Sequence, residues 1–184
     1  MKTSIELFKR PFYYLRHGET ESNAALLVAG SLDVDLTPLG RKQAEAAAAA
    51  LADAPITAIY SSPLRRARDT AEPIAQRLKL PVTVIPDIAE RTWGTLEGEP
   101  RVTRVRGVTP EGAESAEAFR KRVLAGLAQI HGDVPLIVAH SGVFRVLCRT
   151  LEIVETEGPV ANALPVRFAP LAEGGWKVES VARL

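Results

Sequence analysis

The sequence predicts an α/β fold with a mainly parallel sheet. Short apolar runs alternate along the chain with segments of helical pattern, which is the arrangement that βαβ units produce. Two of these runs end at a histidine: Phe12–Leu15 precedes Arg16-His17-Gly18, and Leu136–Ala139 precedes His140. Because ligands bind at the carboxyl ends of strands in an open parallel sheet, we expect the two imidazoles to share one site.

The strands are predicted from apolar runs bounded by turn residues. A further candidate for the last strand lies around Trp176–Val181. The predicted strands are Phe12–Leu15, Ala58–Ser61, Val82–Ile85, Leu136–Ala139 and Val166–Ala169.

The helices are predicted from their start and stop signals. Thr37-Pro38 supplies an N-cap and a first-turn proline for a helix that runs to about Asp53, since Pro55 opposes continuation. A second helix follows Ser62-Pro63, a third covers Ser115 to Ile130 before His131-Gly132, and a fourth runs from near Gly142 to near Leu151. The segment 97–114, rich in Gly, Pro and Arg, is expected to be the longest loop.

Composition and charge indicate one folded domain over residues 1–184. Hydrophobic residues make up 46% of the 184 and charged residues 24%, which is ordinary for a soluble protein. The net charge of +1 gives no general electrostatic attraction to nucleic acid or to an anionic membrane, so neither is expected as a partner. A single cysteine, Cys148, excludes an internal disulfide, and residues 1–10 lack the apolar core of a signal peptide, so we expect a cytoplasmic protein.

Arg16 and His17 together suit a phosphate site. A guanidinium offers a bidentate pair of N–H groups, and an imidazole offers a nitrogen nucleophile. His140 repeats the setting, and Gly142 opens a helix whose free N–H groups favour an anion. The alternative for each histidine is a structural side chain that hydrogen-bonds to backbone at the end of a strand.

Two further segments place charged side chains after strands. Among the arginines that follow Ser62-Pro63, Arg65 and Arg68 are interpreted as a solvated helix face. Glu90 follows the third strand and would suit a general acid beside a phosphate, although an isolated glutamate there is more often an ion-pair partner. The three histidines and one cysteine have no zinc-site spacing, and no glycine-rich nucleotide motif occurs, so no metal or cofactor is expected.

Several motifs resemble, in order, those of the histidine phosphatase superfamily, in the phosphoglycerate mutase-like branch that carries the RHG motif. The resemblance covers about residues 12 to 150. The matching blocks are Leu15-Arg16-His17-Gly18-Glu19-Thr20 with Asn23, Asp35-Leu36-Thr37 with Gly40 and Gln43-Ala44, Ser61-Ser62-Pro63-Leu64 with Arg66-Ala67 and Thr70-Ala71, Glu90 with Gly94 and Glu97-Gly98, and Val138-Ala139-His140-Ser141-Gly142 with Arg145.

The resemblance implies a three-layer α/β/α sandwich and a metal-independent phosphatase with a phosphohistidine intermediate. It implies His17 as the nucleophile and Glu90 as the general acid and base. Arg16, Arg66 and His140 would bind the phosphate, with His140 protonated when phosphate is present. Asn23 would lie at the edge of this pocket, and Ser141 would also contact phosphate or substrate. The expected partners are a small phosphorylated metabolite and, as product, inorganic phosphate.

Departures from the family pattern bear on the substrate. Ala29 stands where many members have glutamine, and Ser141 replaces a glycine that is common after the second histidine. Only residues 99–109 separate Glu97-Gly98 from Pro110, where longer members carry a helical insertion that helps cover the site. This short segment favours a phosphatase with an exposed pocket over a phosphoglycerate mutase. Its three arginines are interpreted as solvated surface charge, although contact with an acidic substrate stays open: Arg101, Arg104 and Arg106.

Two other functions stay open. One is a cofactor-dependent phosphoglycerate mutase, and the other is an inactive module that binds a phosphorylated ligand. The presence of His17, Arg66, Glu90 and His140 argues against the inactive module, since a decayed site usually loses at least one such residue. The identity of the metabolite and the choice between monomer and dimer are not predicted.

Overall fold

The computed structural model describes residues 5–154 and 160–181 and contains one six-stranded sheet. The first four strands pair in parallel, whereas the last two pair antiparallel to their neighbours, so the sheet is mainly parallel as predicted. The strand order is β3-β2-β4-β1-β5-β6. The strands are β1 Phe12–Arg16, β2 Ala58–Ser61, β3 Val82–Val84, β4 Pro135–Ala139, β5 Val166–Pro170 and β6 Trp176–Ser180.

The helices of the described residues follow the predicted order with small shifts at their ends. Thr37 caps the helix that begins at Pro38, because its Oγ1 accepts a hydrogen bond from the Gly40 N–H at 2.9 Å. Ser115 caps the fourth helix in the same way, from Ala118. The helices are α1 Glu21–Ala24, α2 Pro38–Ala50, α3 Arg65–Leu78, α4 Ala116–Leu127 and α5 Ser141–Thr150.

Some short elements were not predicted. The helix α1 is a single turn, and four 3₁₀ turns occur among the described residues, one of them in the segment expected to be a loop. Elements this short leave no periodic pattern in a sequence, because they contain too few residues to repeat one. The 3₁₀ turns are Glu6–Lys9, Pro86–Ile88, Gly94–Leu96 and Arg101–Thr103.

The sheet is covered by helices on both faces. Successive side chains of a strand point to opposite faces, and in the central strand Tyr13 and Leu15 pack with α2 and α3, while Phe12 and Tyr14 pack with α4 and α5. Both central strands, β1 and β4, are buried at every position. The result is the α/β/α sandwich that the resemblance implied. None of the helices in residues 5–154 and 160–181 is long and apolar enough to cross a membrane.

Candidate active site

The two histidines of the predicted site lie side by side. Arg16 pairs with Ala139 at the carboxyl ends of β1 and β4, and the next residue on each strand is a histidine. The His17 N–H donates to the Ala139 carbonyl at 3.0 Å, which extends the parallel pairing by one position. The ring centroids of His17 and His140 are 5.2 Å apart. The register of two neighbouring strands therefore brings together side chains 123 positions apart in the sequence.

His17 is held in one tautomer. Its Nδ1 lies 2.7 Å from the carbonyl oxygen of Gly18, which can only accept a hydrogen bond, so Nδ1 carries the proton and Nε2 keeps its lone pair. Burial lowers the pKa of His17 well below its usual range, and the positive charges of Arg66 and Arg16 lower it further. The ring is therefore neutral at pH 7, as a nitrogen nucleophile must be.

Arg66 reaches the site from the first turn of α3 and is only 1% exposed. Its Nη1 donates to the Leu32 carbonyl at 2.6 Å and its Nη2 to the Gly30 carbonyl at 2.8 Å. These two bonds fix the plane of the guanidinium, as a bidentate phosphate contact requires. Arg65 and Arg68 are exposed, and Arg65 pairs with Asp35, so the prediction of a solvated face for these two is confirmed.

Arg16 and His140 are buried, and each has a polar atom without a hydrogen-bond partner. The Arg16 Nη1 donates to the Val160 carbonyl at 3.0 Å, and burial lowers the pKa of Arg16 to about 10, so it stays charged at neutral pH. His140 is 0% exposed, and its Nε2 lies 2.7 Å from the Ser62 Oγ. Within the described residues, four buried side-chain N or O atoms lack a hydrogen-bond partner, and three belong to this site: Arg16 Nε, Arg66 Nε and His140 Nδ1.

These three atoms destabilise the unliganded protein, because a buried polar group without a partner costs free energy. An anion that accepted from donors of this kind would remove that cost. The site thus offers buried, positively charged and unpaired groups to a phosphate. Burial, together with the charge of Arg66, lowers the pKa of His140 well below its usual range, so this ring too is neutral here. Its protonation in the presence of phosphate stays a prediction.

Glu90 closes the site from the loop after β3. Its Oε2 accepts from the Gly142 N–H at 3.0 Å and its Oε1 from the Arg91 N–H at 2.9 Å. Gly142 lies in the first turn of α5, where backbone N–H groups have no partner within the helix. A Cβ on residue 142 would collide with the Glu90 carboxylate. The glycine therefore has a definite role, since it lets the carboxylate approach the helix end.

All predicted site residues except His140 line one cavity of about 220 Å³. His140 does not line it but packs against the His17 ring from within the protein. Ala29 and Ser141, the two single-residue departures from the family pattern, both line the cavity. The predicted site residues that line it are Arg16, His17, Asn23, Arg66, Glu90 and Ser141.

The loop arginines are closer to this cavity than a purely solvated role requires. Arg101, Arg104 and Arg106 are all exposed, as expected, but Arg101 and Arg104 also line the cavity with His17. The Arg104 guanidinium carbon lies 3.8 Å from the centroid of the Trp93 ring, which is a cation–π contact. The short segment therefore forms a wall of the site instead of extending away from it.

Residues that support the site were assigned no role from the sequence. Ser62 contacts His140, and the Thr70 Oγ1 accepts from the Gly18 N–H at 2.9 Å; both occur in the matched motifs. The Asn162 Nδ2 donates to the His17 carbonyl and to the Asn23 Oδ1, each at 2.9 Å. Asn162 lies outside the motifs that predicted the site, although it falls within the span of a family model that matches the chain.

Comparisons with known proteins identify the family of the chain. A family model for the histidine phosphatase superfamily (branch 1) matches residues 12–165. A metal-independent phosphoserine phosphatase of Arabidopsis thaliana is 33% identical over an alignment of 188 positions, which includes gaps and covers 90% of this chain and 78% of the relative. The uncharacterised phosphatase PhoE of Bacillus subtilis is 34% identical over 141 residues, which cover 72% of each.

A solved structure is similar to this chain over most of its length. It is a mycobacterial glucosyl-3-phosphoglycerate phosphatase in complex with VO3, with a TM-score of 0.76 and 27% sequence identity. The match covers 92% of this chain and 97% of that chain. The predicted site residues all lie within the span of the family model.

Proposed function

The chain belongs to the histidine phosphatase superfamily (branch 1) and is a phosphoric monoester hydrolase, and we propose that it acts through a phosphohistidine formed on His17. One observation carries the proposal: a neutral histidine with a free Nε2 stands among buried cationic and polar groups whose hydrogen-bonding capacity is unmet. Such a constellation suits the attack of a nitrogen lone pair on a bound phosphoryl group.

In the first step, the His17 Nε2 attacks phosphorus in line with the bond to the alcohol oxygen. That bond breaks as the new N–P bond forms, and the protonated Glu90 carboxyl transfers its proton to the leaving oxygen. The alcohol departs, which leaves phospho-His17 and the Glu90 carboxylate. The hydrogen bond from Nδ1 to the Gly18 carbonyl orients the ring and leaves Nε2 as the attacking nitrogen.

In the second step, a water molecule attacks phosphorus on the face that the alcohol has left. The Glu90 carboxylate takes a proton from this water, and the N–P bond breaks as the new O–P bond forms. The lone pair returns to Nε2, and inorganic phosphate leaves. Glu90 is again protonated, so the cycle closes without another reactant.

The cationic groups act on the charge of the transferred phosphoryl group. In phosphoryl transfer, charge spreads over the equatorial oxygens, and fixed donors directed at them supply most of the catalysis. Arg16 and Arg66 serve this role because their guanidinium groups are buried and pinned by backbone carbonyls. His140 joins them by gaining a proton, since a dianion in the pocket opposes the effects that lower the pKa of this histidine.

The substrate is proposed to be a small phosphorylated metabolite. The names of the relatives, a phosphoserine phosphatase and a glucosyl-3-phosphoglycerate phosphatase, specify small phosphate monoesters. The cavity that contains His17, about 220 Å³, suits a phosphoryl group and the first atoms of its alcohol.

Trapping of the phosphoenzyme tests the proposal. The protein is mixed with ³²P-labelled 4-nitrophenyl phosphate and quenched within one turnover. We expect label on the protein that survives alkali and is lost in acid, as for a phosphoramidate, with a mass shift on the peptide that contains His17. His17→Ala should remain folded and acquire no label.

Two results would contradict the proposal. One is fast hydrolysis with label on a different residue, and the other is full activity of His17→Ala. A separate incubation with 3-phosphoglycerate distinguishes the enzyme from a phosphoglycerate mutase. We expect release of inorganic phosphate without formation of 2-phosphoglycerate.

A further inference from the structure

A second, larger space opens beside the cavity that contains His17. Its volume is about 480 Å³, and it is bounded by residues 101–109, Trp93 and the outer face of α5. Glu90, Trp93, Arg101, Arg104 and Arg145 line both spaces, so the two are contiguous. We call the larger space the arginine cleft, because its lining contains seven arginines and one carboxylate, that of Glu90.

The side chains of the cleft arginines form no ion pair among the described residues. Within residues 5–154 and 160–181, ion pairs to a carboxylate are formed by arginines elsewhere, and none by an arginine that lines the cleft. Burial lowers the pKa of Arg104, and the positive charge of Arg145 lowers it further. Like charges that line one cleft repel, and a bound anion would relieve the repulsion.

One wall of the cleft is a regular row of side chains on α5. Ser141, Arg145 and Arg149 are spaced four residues apart, so they lie on one face of the helix. Ser141 lines the cavity with His17, Arg145 lines both spaces, and Arg149 lines the cleft alone. At a rise of about 1.5 Å per residue, the row reaches about 6 Å and about 12 Å along the helix from Ser141.

The opposite wall holds a guanidinium in place without using its N–H groups. Arg104 lies over the Trp93 ring at 3.8 Å, and Arg91 lies 4.4 Å from the centroid of the same ring. Contact through a π face leaves the in-plane N–H groups available to an acceptor. Val105 and Val108 also line the cleft and offer apolar surface to a carbon skeleton.

We propose that the arginine cleft binds an acidic part of the alcohol, so that the preferred substrate is a phosphate monoester with at least one further anionic group. This inference rests on the proposed function, because it places the scissile phosphate at His17. Carboxylate and phosphate both form bidentate pairs with guanidinium, and either group fits the row on α5. Arg106, Arg120 and Arg149 line the cleft but not the cavity with His17, so these arginines select the substrate without taking part in the chemistry.

Three primary alkyl phosphates with the same six-carbon chain test the inference: hexyl phosphate, 6-phosphooxyhexanoate and hexane-1,6-diol bisphosphate. At low ionic strength we expect kcat/KM for the two acidic compounds to exceed that for hexyl phosphate about 10- to 100-fold, as charged hydrogen bonds supply. The bisphosphate has two equivalent phosphate esters, so its measured kcat/KM is divided by two before the comparison. Preference for one acidic compound over the other identifies the anion that the cleft takes, and added salt should reduce both ratios.

Variants on α5 locate the effect. Arg145→Gln and Arg149→Gln should each lower the ratio of acidic to neutral kcat/KM by about tenfold. Arg77→Gln is the matched control, because Arg77 is exposed in the last turn of α3, outside both spaces, and it should leave the ratio unchanged.

Two outcomes would overturn the inference, and they are distinguishable. Hydrolysis of all three compounds at similar kcat/KM rejects the acidic subsite and leaves the proposed function standing. Failure to hydrolyse any of the three, or 4-nitrophenyl phosphate, rejects the proposed function and the subsite with it.

Discussion

The pocket around His17 and the arginine cleft beside it are both rich in arginine, yet they are built in opposite ways. In the pocket, Arg16 and Arg66 are buried, and each donates to backbone carbonyls that fix its orientation. In the cleft, Arg104 and Arg106 extend from an exposed loop whose Val102 is 92% exposed. Chemistry thus depends on buried groups that backbone carbonyls hold in place, whereas substrate selection is assigned to groups on the outer face of α5 and on an exposed loop.

Glu97 links the two regions. Its Oε1 accepts from the backbone N–H groups of Ser31 and Trp93, at 2.8 and 2.9 Å. Ser31 follows Gly30, whose carbonyl orients Arg66, and Trp93 carries the stacked arginines of the cleft. One carboxylate therefore sets the position of the exposed wall relative to the buried pocket.

The largest expected effect comes from Arg66→Ala in the buried region. Loss of a fixed charged donor to the transition state should lower kcat/KM about 10²- to 10³-fold, for hexyl phosphate and hexane-1,6-diol bisphosphate alike. The carbonyls of Gly30 and Leu32 also lose their donor, so Tm should fall. Arg65→Ala, at the exposed neighbouring position, should leave both rates within twofold. A loss confined to the bisphosphate would remove the distinction between pocket and cleft.

The next effect concerns Gly142→Ala, at the boundary of the two regions. The added methyl group displaces the Glu90 carboxylate, and we expect kcat/KM to fall about 10- to 100-fold for hexyl phosphate but much less for 4-nitrophenyl phosphate, whose leaving group needs little protonation. Glu90→Gln should show the same dependence on leaving group, and the double variant should lose little more than either single one.

Gly126→Ala is the matched control for this collision. Gly126 lies in α4, away from the site. Its Cβ would meet side-chain atoms of Asp87 and Ile88 at 2.8 and 2.9 Å. It should lower Tm without changing the ratio of the two substrates. An equal loss on both substrates in Gly142→Ala would remove Glu90 as the acid.

The smallest effect, for each histidine and each pH unit, is a dependence of stability on pH that the buried region produces and the cleft does not. Burial lowers the pKa of His17 and His140 in the folded state, so below pH 6.5 the unfolded chain binds more protons than the folded one. The free energy of unfolding should therefore fall as pH falls below 6.5, by up to about 1.4 kcal/mol per pH unit for each histidine.

Urea unfolding between pH 5 and 7.5 measures this slope. His140→Gln should reduce it, whereas His131→Gln, at an exposed position, should not. Arg149→Gln in the cleft should also leave the slope unchanged, since guanidinium groups do not titrate in this range. An unchanged slope in His140→Gln would contradict the buried, neutral state assigned to this ring.

Much of the fold followed from local patterns. The apolar runs that became β1, β2 and β4, the cap at Thr37 and the start of a helix near Ser115 were predicted within one or two residues, because burial and capping act over a few neighbouring positions. Strand order and the antiparallel direction of β5 and β6 were not predicted, since pairing depends on packing between distant segments.

The candidate site likewise combines features that the sequence predicted with features that depend on tertiary contacts. The sequence by itself determined the residue types and their order: an imidazole beside a guanidinium at one strand end, a second imidazole at another, and a carboxylate after a third. Only the tertiary structure decided that Nδ1 of His17 is protonated, that His140 packs behind that ring, and that Asn162 and the loop arginines reach the site. These facts depend on contacts across the sheet, where burial and neighbouring charge, absent from a linear pattern, set protonation and orientation.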